Sequence, residues 1–71
     1  MNHIEIVING EKVAIARDID NIAVLIDHLD LQNRRFFIVE KNREVVKKED
    51  YATTAVVAGD QFEIVHFVGG G

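Results

Sequence analysis

One stretch of this chain has a helical period, and the segments around it alternate. Ile22, Leu25, Ile26 and Leu29 fall at i, i+3, i+4 and i+7, the stripe of an amphipathic helix. Before it, Ile4, Ile6 and Ile8 share one side of a segment whose other side carries His3, Glu5 and Val7, which is the period of a half-buried strand. A single short helix among strands can bury its stripe only by lying across one face of their sheet. Asn9-Gly10 supplies the two positive-φ positions of a tight hairpin turn, and Lys12 to Ala16 resumes the alternation through Val13 and Ile15.

The rest of the chain adds strands. FFIVEKN reads as a third strand, with Phe37 and Val39 on one side and Phe36 and Ile38 on the other. Arg43 to Val46 forms a short fourth strand and Lys47 to Tyr51 a polar turn or single helical turn. Gly59-Asp60 turns the chain into a last strand, QFEIVHF. Asp20 is the expected helix N-cap, and the pairs Asp18/Asp20 and Glu49/Asp50 read as carboxylates that cap amides rather than as acid/base pairs. The order β-β-α-β-β-β, with a helical connection that allows the first and last strands to pair in parallel, is an α+β fold of the β-grasp (ubiquitin-like) kind. It has a four- to five-stranded mixed sheet packed on one helix. Its expected core is Ile4, Ile6, Ile8, Val13, Ile15, Ile22, Leu25, Ile26, Leu29, Phe37, Val39, Phe62 and Ile64.

At 71 residues there is room for one core, and 48% hydrophobic composition suits a domain that buries only about 60% of its unfolded surface. The expected division is a domain over 1–68 and a flexible glycine tail over 69–71. The absence of cysteine removes disulfides, thiolate metal sites and a cysteine nucleophile, and it fits a reducing cytoplasm. Twelve acidic against eight basic side chains give a net charge of −4, which opposes counterion-release binding to nucleic acid. No apolar run is long enough for a membrane span, and the N-terminus is unlike a signal peptide. The expectation is a cytoplasmic protein with neither nucleic acid nor membrane as partner. His3, His28 and His66 lack metal-site spacing, so no metal is expected. There is no serine, no Gly-rich phosphate loop and no base placed beside a threonine, which makes an independent enzyme an unsuitable reading.

The chain finishes HFVGGG, so Gly69, Gly70 and Gly71 follow directly on a strand. A frayed terminus or a cloning remnant is the plain reading. The alternative has a physical use: without Cβ atoms, such a stalk can thread a narrow channel and present its terminal carboxylate.

Val39, Glu40, Asn42, Glu44 and Val46 match the pattern V-E-x-N-x-E-x-V. Gly59, Asp60, Glu63, Ile64, Phe67, Val68, Gly69, Gly70 and Gly71 match G-D-x-x-E-I-x-x-F-V-G-G-G. On these residues the chain resembles the ThiS family of sulfur carriers of thiamin biosynthesis, within the ubiquitin-like MoaD/ThiS group. The helix NIAVLIDHLDL is similar to the family's short L-x-x-L-L-x-x-L helix, and the likeness covers nearly the whole chain. Lys47 stands where the family often has proline, and Arg43 where a glycine turn residue is common.

The resemblance implies a chemistry at Gly71. A ThiF-like adenylyltransferase would use ATP and Mg²⁺ to turn the carboxylate into an acyl-adenylate. A persulfide sulfur from a cysteine desulfurase would displace AMP, and the resulting thiocarboxylate would deliver sulfur to the thiazole ring on a ThiG-like thiazole synthase. The carrier itself would bind no cofactor. Ordering three glycines costs on the order of 3–6 kcal/mol, so a docking surface on the folded body is expected. Ile38, Val65, Phe67 and Val68 are its candidates, as apolar residues outside the core beside the tail. Carriers for molybdopterin, tRNA or cysteine thiolation share the fold, as do ubiquitin-like modifiers of lysines and plain interaction modules.

Overall fold

The computed structural model describes residues 2–29 and 37–66. The strands are β1 (His3–Ile8), β2 (Glu11–Ala16), β3 (Phe37–Lys41), β4 (Glu44–Val46) and β5 (Gln61–His66). One helix, α1 (Ile22–His28), precedes β3, and a 3-10 helix over Lys48–Thr53 precedes β5. They form a five-stranded mixed sheet in the order β2-β1-β5-β3-β4. β1 and β5 are parallel, with Val7 opposite Gln61 and Ile8 opposite Phe62, and the other pairings are antiparallel. This is the expected β-grasp.

The core follows the two periods. Ile6, Ile15, Ile22, Leu25, Ile26, Val39, Phe62 and Ile64 are buried together, and Ile4, Ile8, Val13, Leu29 and Phe37 pack against them at its edge. Ile19 and Val56 are also buried, although neither lies in a strand or helix, so no periodicity marks them. Backbone bonds bring the two loops together beside the helix start: Ile22 N–H donates to Thr54 O and Val56 N–H to Asp20 O.

Those bonds also account for a difference at the helix start. Asn21, and not Asp20, is the N-cap, its Oδ1 accepting from Val24 N at 2.9 Å. The carbonyl of Asp20 is committed to the bridge between Asn21 and Ala55, which sets the helix entry one residue later. Glu49 and Asp50 do sit in the first turn of the 3-10 helix, but no side chain caps it. Negative charge there still suits the positive end of the helix.

Both hairpin turns have two consecutive positive-φ residues, Asn9-Gly10 (51° and 84°) and Asn42-Arg43 (50° and 73°). This is the type I′ geometry, whose twist matches that of the flanking strands. The asparagines do more than turn the chain. Beyond Asn9 the β1 backbone leaves β5, and the Asn9 side chain takes its place: Nδ2 donates to Ile64 O at 3.2 Å and Oδ1 accepts from Ile64 N at 2.8 Å. Asn42 does likewise for the start of β5, its N–H donating to Gln61 O and its Oδ1 accepting from Gln61 N. Its Nδ2 also donates to Asp60, a 7% exposed carboxylate that accepts from Val57 N and stands 3.5 Å from Lys41 Nζ.

Two substitutions separate turn strain from strand pairing. Asn9→Gly keeps the positive φ but deletes the side-chain bridge to Ile64, and it is expected to lower stability by about 1–2 kcal/mol. Arg43→Gly relieves a side chain held in the left-handed region and is expected to raise stability by about 0.5–1 kcal/mol after the larger unfolded-state entropy of glycine is counted. Urea unfolding of both variants beside the parent chain checks the two signs.

Candidate functional site

The region of interest is the far end of β5. Among the described residues β1 pairs with β5 only as far as Ile8 opposite Phe62, and Val65 and His66 are paired on one side alone, by Ile38 and Phe37 of β3. Alternation then assigns the side chains. Phe62 and Ile64 point into the core, and Glu63 and Val65 point to the outer face of the sheet, away from α1.

Ile38 and Val65 are therefore directly opposite each other on that outer face. Val65 is 44% exposed and Ile38 half-buried. Two of the expected docking residues thus meet at the end of β5. Phe67, Val68, Gly69, Gly70 and Gly71 lie outside the described residues, and with them the expected mobility of the tail; Phe36 lies outside them too.

A third aliphatic residue joins the outer face. Val45 of β4 is opposite Glu40 of β3 and is 63% exposed. Sequence reasoning passed over it because a three-residue strand shows no periodicity. The signal was nevertheless there: a two-residue turn at Asn42-Arg43 sets Glu40 against Val45.

The inner side of the same end is aromatic. Phe37 stacks on Tyr51 with ring centroids 6.5 Å apart and meets His66 at 6.0 Å. Burial pushes the Tyr51 phenol above its ordinary pKa, so it stays neutral at physiological pH. His3 is on β1, His28 ends α1 and His66 ends β5, and no cluster of three or more His, Cys, Asp or Glu side chains suited to a metal occurs among the described residues. Asp60, the one buried carboxylate there, is occupied in holding Asn42 and Val57 at the entry to β5. What this end of the molecule presents among the described residues is a partly aliphatic surface.

Comparison with known proteins agrees with that arrangement. The ThiS family model matches residues 3–71. The sulfur carrier protein ThiS of Bacillus subtilis (strain 168) is 41% identical over 64 residues, which cover 90% of this chain and 96% of that protein. A thiazole synthase of Paramagnetospirillum magneticum is 40% identical over 67 residues; the match covers 94% of this chain but only 20% of the synthase. The crystal structure of the thiamine biosynthesis protein ThiS from Geobacter metallireducens superposes with a TM-score of 0.81 at 29% identity, covering 96% of this chain and 100% of that one. With the family pattern running from the first strand through the glycine tail on a matching fold, this chain belongs to the ThiS family.

Proposed function

We propose that Gly71 is the reacting residue of this sulfur carrier, and that Gly69 and Gly70 are the stalk that delivers it. Membership of the ThiS family makes the chain a sulfur carrier of thiamine biosynthesis. The carrying observation is that the family match includes the glycine tail, which leaves the central strand of the sheet.

The chemistry follows from the tail. A carboxylate is a poor electrophile, so a ThiF-like adenylyltransferase joins it to AMP at the expense of ATP, with Mg²⁺ on the partner and pyrophosphate leaving. The terminal sulfur of a persulfide supplied through a cysteine desulfurase then displaces AMP to give an acyl disulfide. A second thiol of the partner attacks its S–S bond and ends as a disulfide, and the freed thiocarboxylate sulfur is the nucleophile passed to the thiazole precursor. Catalytic groups and cofactors belong to the partners, and the carrier is their cosubstrate. A ThiG-like thiazole synthase is the acceptor; the stretch similar to this chain within a thiazole synthase supports that choice. The cytoplasm is the inferred compartment; no helix among the described residues is long and apolar enough to cross a membrane.

Docking falls to the outer face beside the end of β5. Ile38 and Val65 lie on it, and Phe67 and Val68, which follow β5 in the sequence, are assigned to the same contact. A body contact there offsets the entropy lost when the tail is ordered in the partner's channel.

Deleting Gly71, or adding one residue after it, is expected to abolish pyrophosphate release and the thiocarboxylate mass gain of about 16 Da while leaving the melting temperature unchanged. One residue alters reach by about 3.3–3.6 Å, and a misplacement of about 1 Å already costs on the order of a hundredfold. Ile38→Ala with Val65→Ala should instead raise KM for the carrier by about tenfold at nearly constant kcat, since it removes uniform binding. Normal pyrophosphate release from the Gly71 deletion would overturn the assignment of the reacting residue.

A further inference from the structure

The outer face of the sheet holds a like-charge pair that the described residues leave uncompensated. Glu40 of β3 and Glu63 of β5 are directly opposite in the antiparallel register, one step along from Ile38 and Val65. Side chains so placed stand about 4.5–5.5 Å apart at Cβ, and like charges there oppose folding. Among the described residues neither carboxylate takes part in an ion pair or hydrogen bond, and the ion pair present there joins Lys41 to Asp60 instead.

Their surroundings are aliphatic on the side of the tail and of β4, while Arg43 lines the surface beside Glu63 at the other end without forming an ion pair with it. Ile38 and Val65 lie toward the tail, and Val45 flanks Glu40 on the β4 side. Val45 and Val65 are well exposed, whereas Glu40 is half-buried among these neighbours. A purely solvated acidic face has no need of the aliphatic frame, and a purely apolar dock has no use for two facing carboxylates. Together they are complementary to one kind of surface: an arginine or lysine side chain whose cation enters between the carboxylates while its stem lies on Ile38 and Val65.

Position along the chain bounds how far from its own reacting site a partner can carry that cation. β5 runs from Glu63 through Val65 toward the tail, and Gly71 is eight positions beyond Glu63 in the sequence. Even fully extended, that stretch spans at most about 26–29 Å. A protein that both touches this face and reacts with the terminal carboxylate therefore carries its cation within that distance of its nucleotide site.

We propose that Glu40 and Glu63 form a cation seat through which the outer face recognises the adenylating partner, and that this partner inserts an arginine or lysine framed by apolar side chains. The inference rests on the reading of Gly71 as the adenylated residue. Because the free carrier holds two repelling charges together, the seat opposes the carrier's own folding and favours the complex. A merely structural pair has the opposite signature.

The test uses the full chain and the adenylating enzyme of the same organism, with pyrophosphate release as the readout. Glu40→Gln combined with Glu63→Gln is expected to leave the melting temperature unchanged or raised. It should raise KM for the carrier by about tenfold or more with kcat within about twofold, and flatten the rise of KM with salt that the parent chain shows. Glu11→Gln, which removes one charge from β2 away from this face, should leave all three quantities as they are. An unchanged KM in the double variant overturns the seat while leaving the Gly71 assignment intact. A KM raised as much by Glu11→Gln overturns it as well, since net charge would then suffice. Unchanged adenylation with lost binding to the thiazole synthase would transfer the face to the other partner, against the proposal. No pyrophosphate from the parent chain would remove the reading on which it rests.

Discussion

The sheet is held together at β5. The β1–β2 hairpin lies on one side of it and the β3–β4 hairpin on the other, and among the described strands neither hairpin pairs with the other except through β5. An isolated two-stranded hairpin is marginal in water, so each depends on this strand for a third partner. The same strand supplies Phe62 and Ile64 to the core beneath α1. A strand so placed is also the one that leads to the glycines. Whatever holds β5 in register therefore sets where the segment leading to the glycines begins.

Two asparagine side chains do much of that holding. Asn9 and Asn42 each occupy a positive-φ turn position, and each offers its amide to the backbone of β5, at Ile64 and at Gln61 respectively. An amide side chain is suited to this, having a donor and an acceptor side by side as a peptide group has. Asp60 adds a buried anchor at the strand's entry, and Gly59 before it has a φ of 88° that a side chain would strain. Asn42, Gly59 and Asp60, which read as elements of a family pattern, thus act through the placement of β5. The chemistry at the tail needs them only indirectly.

The fold was legible because its two periods are clean. Ile4, Ile6 and Ile8 could belong only to a half-buried strand, and Ile22, Leu25 and Ile26 only to a helix stripe, so the core list was largely correct. Ile19 and Val56 escaped because loops bury residues without periodicity. The N-cap was misplaced by one residue because the competing demand on Asp20, a bridge to the chain beyond Thr54, is tertiary and has no local signal. At the candidate site, the facing of Ile38 and Val65 was half visible: alternation put each outside, and only the β3–β5 register made them neighbours. Val45 and the meeting of Glu40 with Glu63 needed that register too.

Register also decides which side of each strand the core takes in so small a protein. Along β5 the residues that face in serve the core and those that face out line the outer face of the sheet: Phe62 and Ile64 alternate with Glu63 and Val65. A slip of one residue would exchange the two sets, placing Glu63 beneath α1 and an exposed phenylalanine on the surface. Burying an unpaired carboxylate is costly enough to exclude that state. The core thus selects a single register for β5, and this selection fixes which side chains stand on the outer face of the sheet. If Gly71 reacts as proposed, the carrier gains reproducible reach from this arrangement, because β5 is positioned by burial and by its backbone pairing.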